Sequence, residues 1–285
     1  MRLLAISDLH LANPTNREAL AGLPARSDDW LILGGDIAER LDHVRDLFAL
    51  ASERFAKVFW VPGNHELWTV PEEEADGRRS PELRGLAKYE ALVALARGFG
   101  VVTPEDPYPL WTGPGGPCVV APLFLLYDYS FRPPEISREA VVPWAREQAS
   151  VCADELLLSP EPYASREAWC WARCADAEAR LSALEPDLPT VLVNHFPLRQ
   201  ELVRIPRVPR FSPWCGTTRT EDWHRRFNAK VVVYGHLHVR RTDWRDGTRF
   251  EEVSLGYPRQ WDRSLGLLPY LREILPGPAG PRDPG

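Results

Sequence analysis

Short runs of apolar, mostly β-branched residues recur along the chain, and most of them stop at a polar side chain or a glycine. Runs of this length that end in turn-forming residues are typical of buried strands. The predicted strands cover residues 2–7, 30–33, 57–61, 118–124, 189–196, 230–238 and 249–255. Apolar positions at helical spacing predict helices over residues 37–56, 82–97 and 166–184. Strands that alternate with helices indicate an α/β protein with its site at one edge of a sheet.

The polar side chains that lie at the ends of five of these strands are of few types. They are Asp8 and His10, Asp36, Asn64 and His65, His195, and His236 and His238. A turn gains nothing from repeated histidine, yet most of the seven histidines in the chain lie at these strand ends. Ligands of open α/β sheets bind beyond the carboxyl ends of the strands. The pattern therefore predicts a metal site assembled from several strand ends.

The types of candidate ligand narrow the choice of metal. Mixed carboxylate, amide and imidazole ligation suits manganese, iron or zinc ions, whereas calcium and magnesium prefer all-oxygen shells. One ion takes about four to six protein or water ligands, and the strand ends offer more than that. Two metal ions bridged by a carboxylate account for the surplus.

Composition excludes several other classes of protein. The net charge of −6 argues against a protein whose main partner is nucleic acid, and no apolar run approaches the length of a membrane span. The five cysteines are odd in number and scattered, and no signal peptide precedes Asp8, so we expect a reduced, cytoplasmic protein without disulfides.

Two stretches are predicted to lie outside the regular elements. Residues 71–81 form a predicted polar loop, and residues 276–285 form a predicted disordered tail.

The motifs DLH, GGD, GNHE, NH and GHLH, in that order, resemble those of the calcineurin-like metallophosphoesterase superfamily. The resemblance implies a four-layer α/β/β/α sandwich, in which two mixed sheets are flanked by helices. We expect one such domain over residues 1–275. The aromatic and helical region of about residues 123–189 is then an insertion that frames the site.

The resemblance also implies two sets of metal ligands that share one bridging aspartate. The first metal would be bound by Asp8, His10 and His238, the second by Asn64, His195 and His236, and both by Asp36. A water held between the metals would attack phosphorus in line, while His65 would stabilise charge or protonate the leaving group. Glu39, three residues after the bridging aspartate, would hold His65 in one tautomer. Alternatively, Glu39 is a glutamate in the first turn of a helix, where it interacts with the helix dipole.

Further stretches, among them WVPGNHELWT, FLLYDYSF and VNHFPL, resemble the phosphopantetheinyl hydrolases of mycobacteria and other actinobacteria. This resemblance implies hydrolysis of the phosphodiester of 4′-phosphopantetheine on a holo-acyl or peptidyl carrier protein. The products would be the apo-carrier and free 4′-phosphopantetheine. Two alternatives remain at this point: a phosphatase or cyclic-nucleotide phosphodiesterase that acts on a small molecule, and a scaffold that keeps the fold without catalysis.

Candidate substrate-binding residues lie outside the metal motifs. An arginine-rich strip over residues 199–210, which includes Arg199 and Arg204, could dock an acidic carrier, or it could be a solvated loop stiffened by proline. The aromatic region and the loop after the strip offer side chains that could shape a channel for the long pantetheine arm. They are Tyr127, Tyr129, Arg132 and Trp214. The alternative for most of these aromatic residues is packing of the insertion onto the core.

Overall fold

A computed structural model describes residues 1–70 and 83–278 of the chain. The predicted polar loop over residues 71–81 lies outside the described residues, as does the predicted tail from residue 279 onwards. The first three tail residues are described, and Pro278 accepts a hydrogen bond from Arg249 at 3.2 Å. Ordered chain therefore extends slightly beyond the predicted boundary at residue 275.

The described residues form ten strands, eight α-helices and several short 3₁₀ helices. The strands are β1 (Leu3–Ile6), β2 (Arg26–Leu33), β3 (Phe55–Trp60), β4 (Leu110–Trp111), β5 (Cys118–Pro122), β6 (Thr190–Val193), β7 (Ala229–Tyr234), β8 (Thr242–Arg245), β9 (Thr248–Glu252) and β10 (Arg272–Leu275). The helices are α1 (Pro14–Ala19), α2 (Leu41–Arg54), α3 (Asn64–Leu67), α4 (Gly85–Gly98), α5 (Val141–Arg146), α6 (Asp154–Leu157), α7 (Arg166–Ser182) and α8 (Trp223–Arg226). The 3₁₀ helices cover Leu20–Gly22, Gln200–Leu202, Pro209–Trp214, Thr218–Thr220, Arg263–Leu265 and Leu268–Tyr270.

The strands form two mixed sheets. The first has the order β10-β1-β2-β3, with β10 antiparallel to β1 and the other neighbours parallel. The second has the order β4-β5-β6-β7-β9-β8, with parallel strands in the centre and an antiparallel strand at each edge. A parallel bridge between Ser7 and Ser254 joins the ends of β1 and β9 across the two sheets. The carboxyl ends of the parallel strands therefore meet at one edge of the molecule.

Successive side chains of each strand point to opposite faces of its sheet, and this alternation produces the layers of the sandwich. One set of strand residues packs into an apolar cluster between the sheets, for example Leu3, Ile32 and Val191. Their neighbours, such as Leu4 and Leu31, belong to a second cluster that includes the buried faces of the helices. Because side chains of a strand point alternately to its two faces, this division places the sheets face to face with helices outside. The predicted four-layer α/β/β/α sandwich is confirmed.

The structure corrects several predicted element boundaries. The second strand begins at Arg26 rather than at residue 30, and the predicted loop before it contains α1, which Asn13 caps through a bond to Thr15 N. The helix predicted over residues 37–56 begins only at Leu41. The strand at residues 249–255 was expected to be the last, but β10 follows it and pairs with β1. Across the described residues 1–70 and 83–278, every helix falls short of the length and apolar character needed to cross a membrane.

Candidate metal centre

The seven predicted metal ligands converge at the edge where the parallel strands end. Three overlapping groups of side chains bring potential metal-binding atoms within 4.8 Å of one another. The groups are Asp8, His10 and His238; His10, Asp36 and His65; and Asp36, His195 and His236. Asn64 lines the same cleft. The first and third groups correspond to the two ligand sets that the motifs imply, with Asp36 between them.

Backbone turns of unusual conformation aim these side chains. Asp8, His10, Asp36, His236 and His238 all adopt positive φ angles, between 44° and 71°. The left-handed region is unfavourable for residues with a Cβ, so the surrounding structure must hold these turns in place. Such outliers concentrate at functional sites, where they direct side chains to a common point.

The glycines of the motifs allow these turns to pack against one another. A Cβ added at Gly63 would collide with Asp36 Oδ1, and one at Gly35 would lie 2.6 Å from Gly63 N. Gly35 also has a φ of 90°, which favours glycine. The GGD and GNHE motifs are thus in backbone contact, which explains the glycine in each.

The first ligand group is held by hydrogen bonds from both sides. His238 Nε2 lies 2.9 Å from Asp8 Oδ1 and 3.1 Å from His10 Nε2, while His238 Nδ1 lies 2.9 Å from Gln260 Oε1. Donation from Nδ1 to Gln260 leaves His238 Nε2 to face the group. The Ser254 hydroxyl donates to Asp8 Oδ2 at 2.8 Å. These contacts orient the ligand atoms, as hydrogen bonds to metal-binding side chains do in metal sites.

The second ligand group contains acceptor atoms that the protein leaves unpaired. Within the described residues, Asn64 Oδ1, His195 Nε2 and His236 Nε2 are buried and have no hydrogen-bond partner. His195 donates through Nδ1 to the carbonyl oxygen of Gly34 at 2.9 Å, so its Nε2, 3.4 Å from Asp36 Oδ2, becomes an acceptor once the ring is neutral. Buried acceptors without partners are costly, and a bound cation would satisfy all three. The donor set therefore fits a metal ion at this position.

The four histidines of the cluster differ in protonation. Burial opposes protonation of His195 and His238, but Asp36 raises the pKa of His195 to about 10 and Asp8 raises the pKa of His238, so a bound cation would displace a proton from each of these rings.

Burial lowers the pKa of His10 to about 4 and that of His236 to about 3, so both imidazoles are neutral at pH 7. Burial opposes ionisation of Asp36, but the neighbouring His195 and His65 outweigh it and hold the pKa of Asp36 well below its ordinary value. Neutral imidazoles and ionised carboxylates are the forms that bind metals.

His65 lies beside the cluster with its ring held on two sides. His65 Nδ1 is 2.7 Å from Glu39 Oε1, and the ring stacks on the indole of Trp68 with centroids 3.7 Å apart. Glu39 precedes α2, which begins at Leu41, so it is not a first-turn residue of that helix. Its carboxylate contacts the histidine instead.

The cluster forms the floor of a cleft of about 410 Å³. One wall comes from residues 149–153 of the aromatic region and another from Ile205, Val208 and Phe211. Tyr257, which stacks on His10 with centroids 4.4 Å apart, lines a further side. The cleft thus joins a polar, metal-binding floor to largely apolar walls.

Glu66 supports the cluster in a way that sequence reasoning missed. Its carboxylate is fully buried and accepts hydrogen bonds from the backbone N–H groups of Asp36, Ile37 and Gly63, at 2.8 to 2.9 Å. It thereby ties the turn after β2 to the turn after β3. The acidic residue of GNHE, three positions after glycine, matches the spacing of a capping box and was the available signal.

Three of the aromatic residues predicted to bind substrate are core residues instead. Tyr127, Tyr129 and Trp214 are fully buried. The Tyr129 hydroxyl and the Trp214 indole N–H both donate to Glu155 Oε1, at 2.7 and 2.8 Å. Their role is therefore the alternative one, packing of the aromatic region onto the core.

The predicted arginines also differ from their expected roles. Arg132 donates to two backbone carbonyls of its own loop, and Arg199 binds Glu201 at 2.9 Å, so both are already paired within the fold. Arg204 is exposed, with Asp243 4.0 Å away. It lies next to Ile205 on the rim of the cleft. Among the predicted substrate-binding residues, all of which the structure describes, only Arg204 is exposed beside the site.

Comparison with known proteins agrees with this geometry. The calcineurin-like phosphoesterase family matches residues 1–240, and the chain belongs to that family. It is therefore a phosphoesterase that uses divalent metal ions. The chain is similar to the [acyl-carrier-protein] phosphodiesterase PptH of Mycobacterium tuberculosis, with 52% identity over 97% of this chain and 84% of that protein. The crystal structure of the phosphopantetheinyl hydrolase PptH from the same organism superposes with a TM-score of 0.91, at 51% identity, over 99% of this chain and 98% of that one.

Proposed function

We propose that this protein hydrolyses the phosphodiester that joins 4′-phosphopantetheine to a serine of a holo-acyl or peptidyl carrier protein. Water adds to phosphorus, the bond from phosphorus to the serine oxygen breaks, and that oxygen takes up a proton. The products are the apo-carrier and free 4′-phosphopantetheine. The similar protein PptH, which is 52% identical, is an [acyl-carrier-protein] phosphodiesterase, and this supports the same substrate here.

The observation that carries the proposal is the cleft itself. Its floor collects unpaired buried acceptors of Asn64, His195 and His236, which suit a metal-dependent reaction at a phosphate. Its walls are apolar at Ile205, Val208 and nearby residues, which suits a long arm attached to that phosphate. A site for a free phosphomonoester would gain nothing from such walls.

We propose that the residues implied by the motifs hold the metals. Asp8, His10 and His238 would hold one ion, Asn64, His195 and His236 would hold the other, and Asp36 would contribute to both sites. The mixed oxygen and nitrogen set favours manganese or iron, with zinc as a third option. When bound, two such ions would acidify the attacking water and neutralise charge on the phosphate oxygens.

His65 is the proposed general acid. A hydrogen bond from Nδ1 to Glu39 fixes the ring and leaves Nε2 to donate a proton to the leaving serine oxygen. Stacking on Trp68 limits rotation of the ring. The proton of His65 is thereby delivered from one defined atom.

We propose that the rim of the cleft receives the carrier protein. Arg204 and Arg207 are exposed on the segment whose Ile205 and Val208 line the cleft. On a chain of net charge −6, this local basic rim would orient an acidic partner.

We further propose a cytoplasmic location, with which the five free thiols, each within the described chain, agree. We also propose that residues 1–275 form one domain, in which residues of about 123–189 are an insertion.

The test is a mass measurement on carrier proteins. Metal-loaded enzyme incubated with holo-carrier should produce a carrier lighter by one phosphopantetheine group, and free 4′-phosphopantetheine should appear in equal amount. Two controls should show no hydrolysis of the carrier: wild-type enzyme treated with chelator, and the Asp36→Asn variant. An unchanged carrier mass across acyl and peptidyl carriers, together with turnover of nucleotides or phosphomonoesters, would contradict the proposed substrate.

A further inference from the structure

Asp154 is a buried carboxylate that contacts two residues of the cleft at once. It lies at the start of α6, in the aromatic region rather than on any strand that carries a candidate ligand. Its side chain is fully buried, and Oδ1 accepts hydrogen bonds from Asn64 Nδ2 at 2.9 Å and from Trp68 Nε1 at 2.6 Å. These two donors belong to the GNHELW stretch that follows β3.

The bond to Asn64 decides which atom of that amide faces the cleft. With Nδ2 directed at Asp154, Oδ1 points the other way, and it is buried without a hydrogen-bond partner among the described residues. The opposite amide orientation would bring two oxygens together and lose this bond. Donation to a carboxylate also increases electron density on the amide oxygen, which makes it a better metal ligand.

The bond to Trp68 fixes the ring that stacks on His65. The indole and imidazole centroids are 3.7 Å apart, with an angle of 30° between the planes. The backbone joins the same two regions, because Trp68 forms a bridge with Leu158 and Thr69 N donates to Leu157 O at 2.7 Å. Arg166 of α7 in turn donates to the carbonyl oxygen of Asp154 at 2.6 Å. This bond anchors the backbone of Asp154 from the side away from the cleft.

We propose that Asp154 is a positioning residue through which the insertion orients both the metal ligand Asn64 and, by way of Trp68, the general acid His65. The inference rests on the proposed function, because it takes Asn64 as a ligand of the second metal. It assigns to the insertion a part in metal binding as well as in shaping the cleft.

Metal titration of the chelator-treated protein tests the first half of the inference. Calorimetric titration with Mn²⁺ should show two ions bound by wild type. Asp154→Ala and Asp154→Leu, neither of which can accept from Asn64 Nδ2, should bind the first ion normally and the second about 10- to 100-fold more weakly. Glu155→Gln is the matched control, since the neighbouring carboxylate also accepts from an indole, that of Trp214, and should leave both ions as in wild type.

The outcomes separate this inference from the proposed function. If wild type binds no metal, the proposed function fails; if wild type and both Asp154 variants bind two ions with equal affinity, only the present inference fails. Thermal unfolding checks that each variant is folded. Should Asp154→Ala unfold, Asp154→Leu decides alone, because it keeps a side chain of similar size but has no oxygen that could accept from Asn64 Nδ2.

A Trp68→Phe substitution tests the second half. It keeps an aromatic ring near His65 but removes the indole N–H that donates a hydrogen bond to Asp154. Two ions should still bind, while kcat on the chromogenic diester bis(4-nitrophenyl) phosphate should fall about tenfold with little change in KM. An unchanged kcat would remove Trp68 from the proposal, and a lost second ion would show that Trp68 acts through Asn64 instead.

Discussion

The carboxylate of Glu39 and the imidazole of His65 lie 2.7 Å apart, from Oε1 to Nδ1. Burial lowers the pKa of His65, but the negative charges of Asp36 and Glu39 outweigh burial and raise it to about 9. The ring is thus kept protonated at neutral pH and held in one orientation. Both properties are what a general acid needs.

Substitution of Glu39 by glutamine should lower kcat by roughly 10- to 100-fold while metal content stays at two ions. Because Glu39 raises the pKa of His65, its loss lowers that pKa. A general acid loses activity as pH rises through its pKa, so the alkaline limb of the kcat profile should move to lower pH. Profiles of kcat from pH 6 to 10 measure this shift. Superimposable profiles for wild type and Glu39→Gln would contradict the role.

His65→Ala and Asp36→Asn should both inactivate the enzyme but differ in metal binding. Loss of a general acid costs roughly 10²- to 10⁴-fold in kcat. His65→Ala should reach that loss with its metal content intact, because His65 is assigned to the leaving group. Asp36→Asn weakens the bridging ligand and should lose metal as well. Elemental analysis of each purified variant, beside kcat on a chromogenic diester, distinguishes them. Equal metal loss in both would assign His65 to the metal shell.

Removal of metal should destabilise the protein. The buried carboxylates Asp8 and Asp36 repel each other, and a bound cation offsets that repulsion. At free metal a thousandfold above Kd, binding contributes about 4 kcal/mol per site, which corresponds to a shift in Tm on the order of 10 °C. Thermal unfolding with chelator and after addition of Mn²⁺ measures it. Asp36→Asn should show a much smaller difference between the two conditions, and an identical Tm for wild type in both would refute the prediction.

The ligand cluster could be predicted from the sequence because its signals are local. Each of the strands β1, β2, β3, β6 and β7 ends in a short apolar run, and the ligands follow within a few residues. Parallel strands present their carboxyl ends at one edge, so separate motifs become neighbours without any further information. The contact between Glu39 and His65 was implied by the resemblance to the family, whereas the residues alone left the helix-dipole alternative open.

Residues whose partners are distant in sequence could not be predicted in this way. Asp154 lies 90 residues from Asn64, in a segment without a recognisable spacing. The final strand β10 reads REIL, too short and too polar to mark it as a strand until its pairing with β1 is seen. The aromatic composition around Tyr129 fits a substrate channel and a packed core equally well, and only burial distinguishes them.

Charge reversal on the rim of the cleft should impair the protein substrate selectively. Arg204→Glu with Arg207→Glu should lower kcat/KM for holo-carrier by about tenfold or more at low salt, because rim charges act mainly on the rate of encounter. Turnover of a small chromogenic diester should be unchanged, since neither arginine lines the described cleft. Arg45→Glu, on the exposed face of α2, is the matched control. Equal loss with both substrates, or the same loss in Arg45→Glu, would exclude docking at this rim.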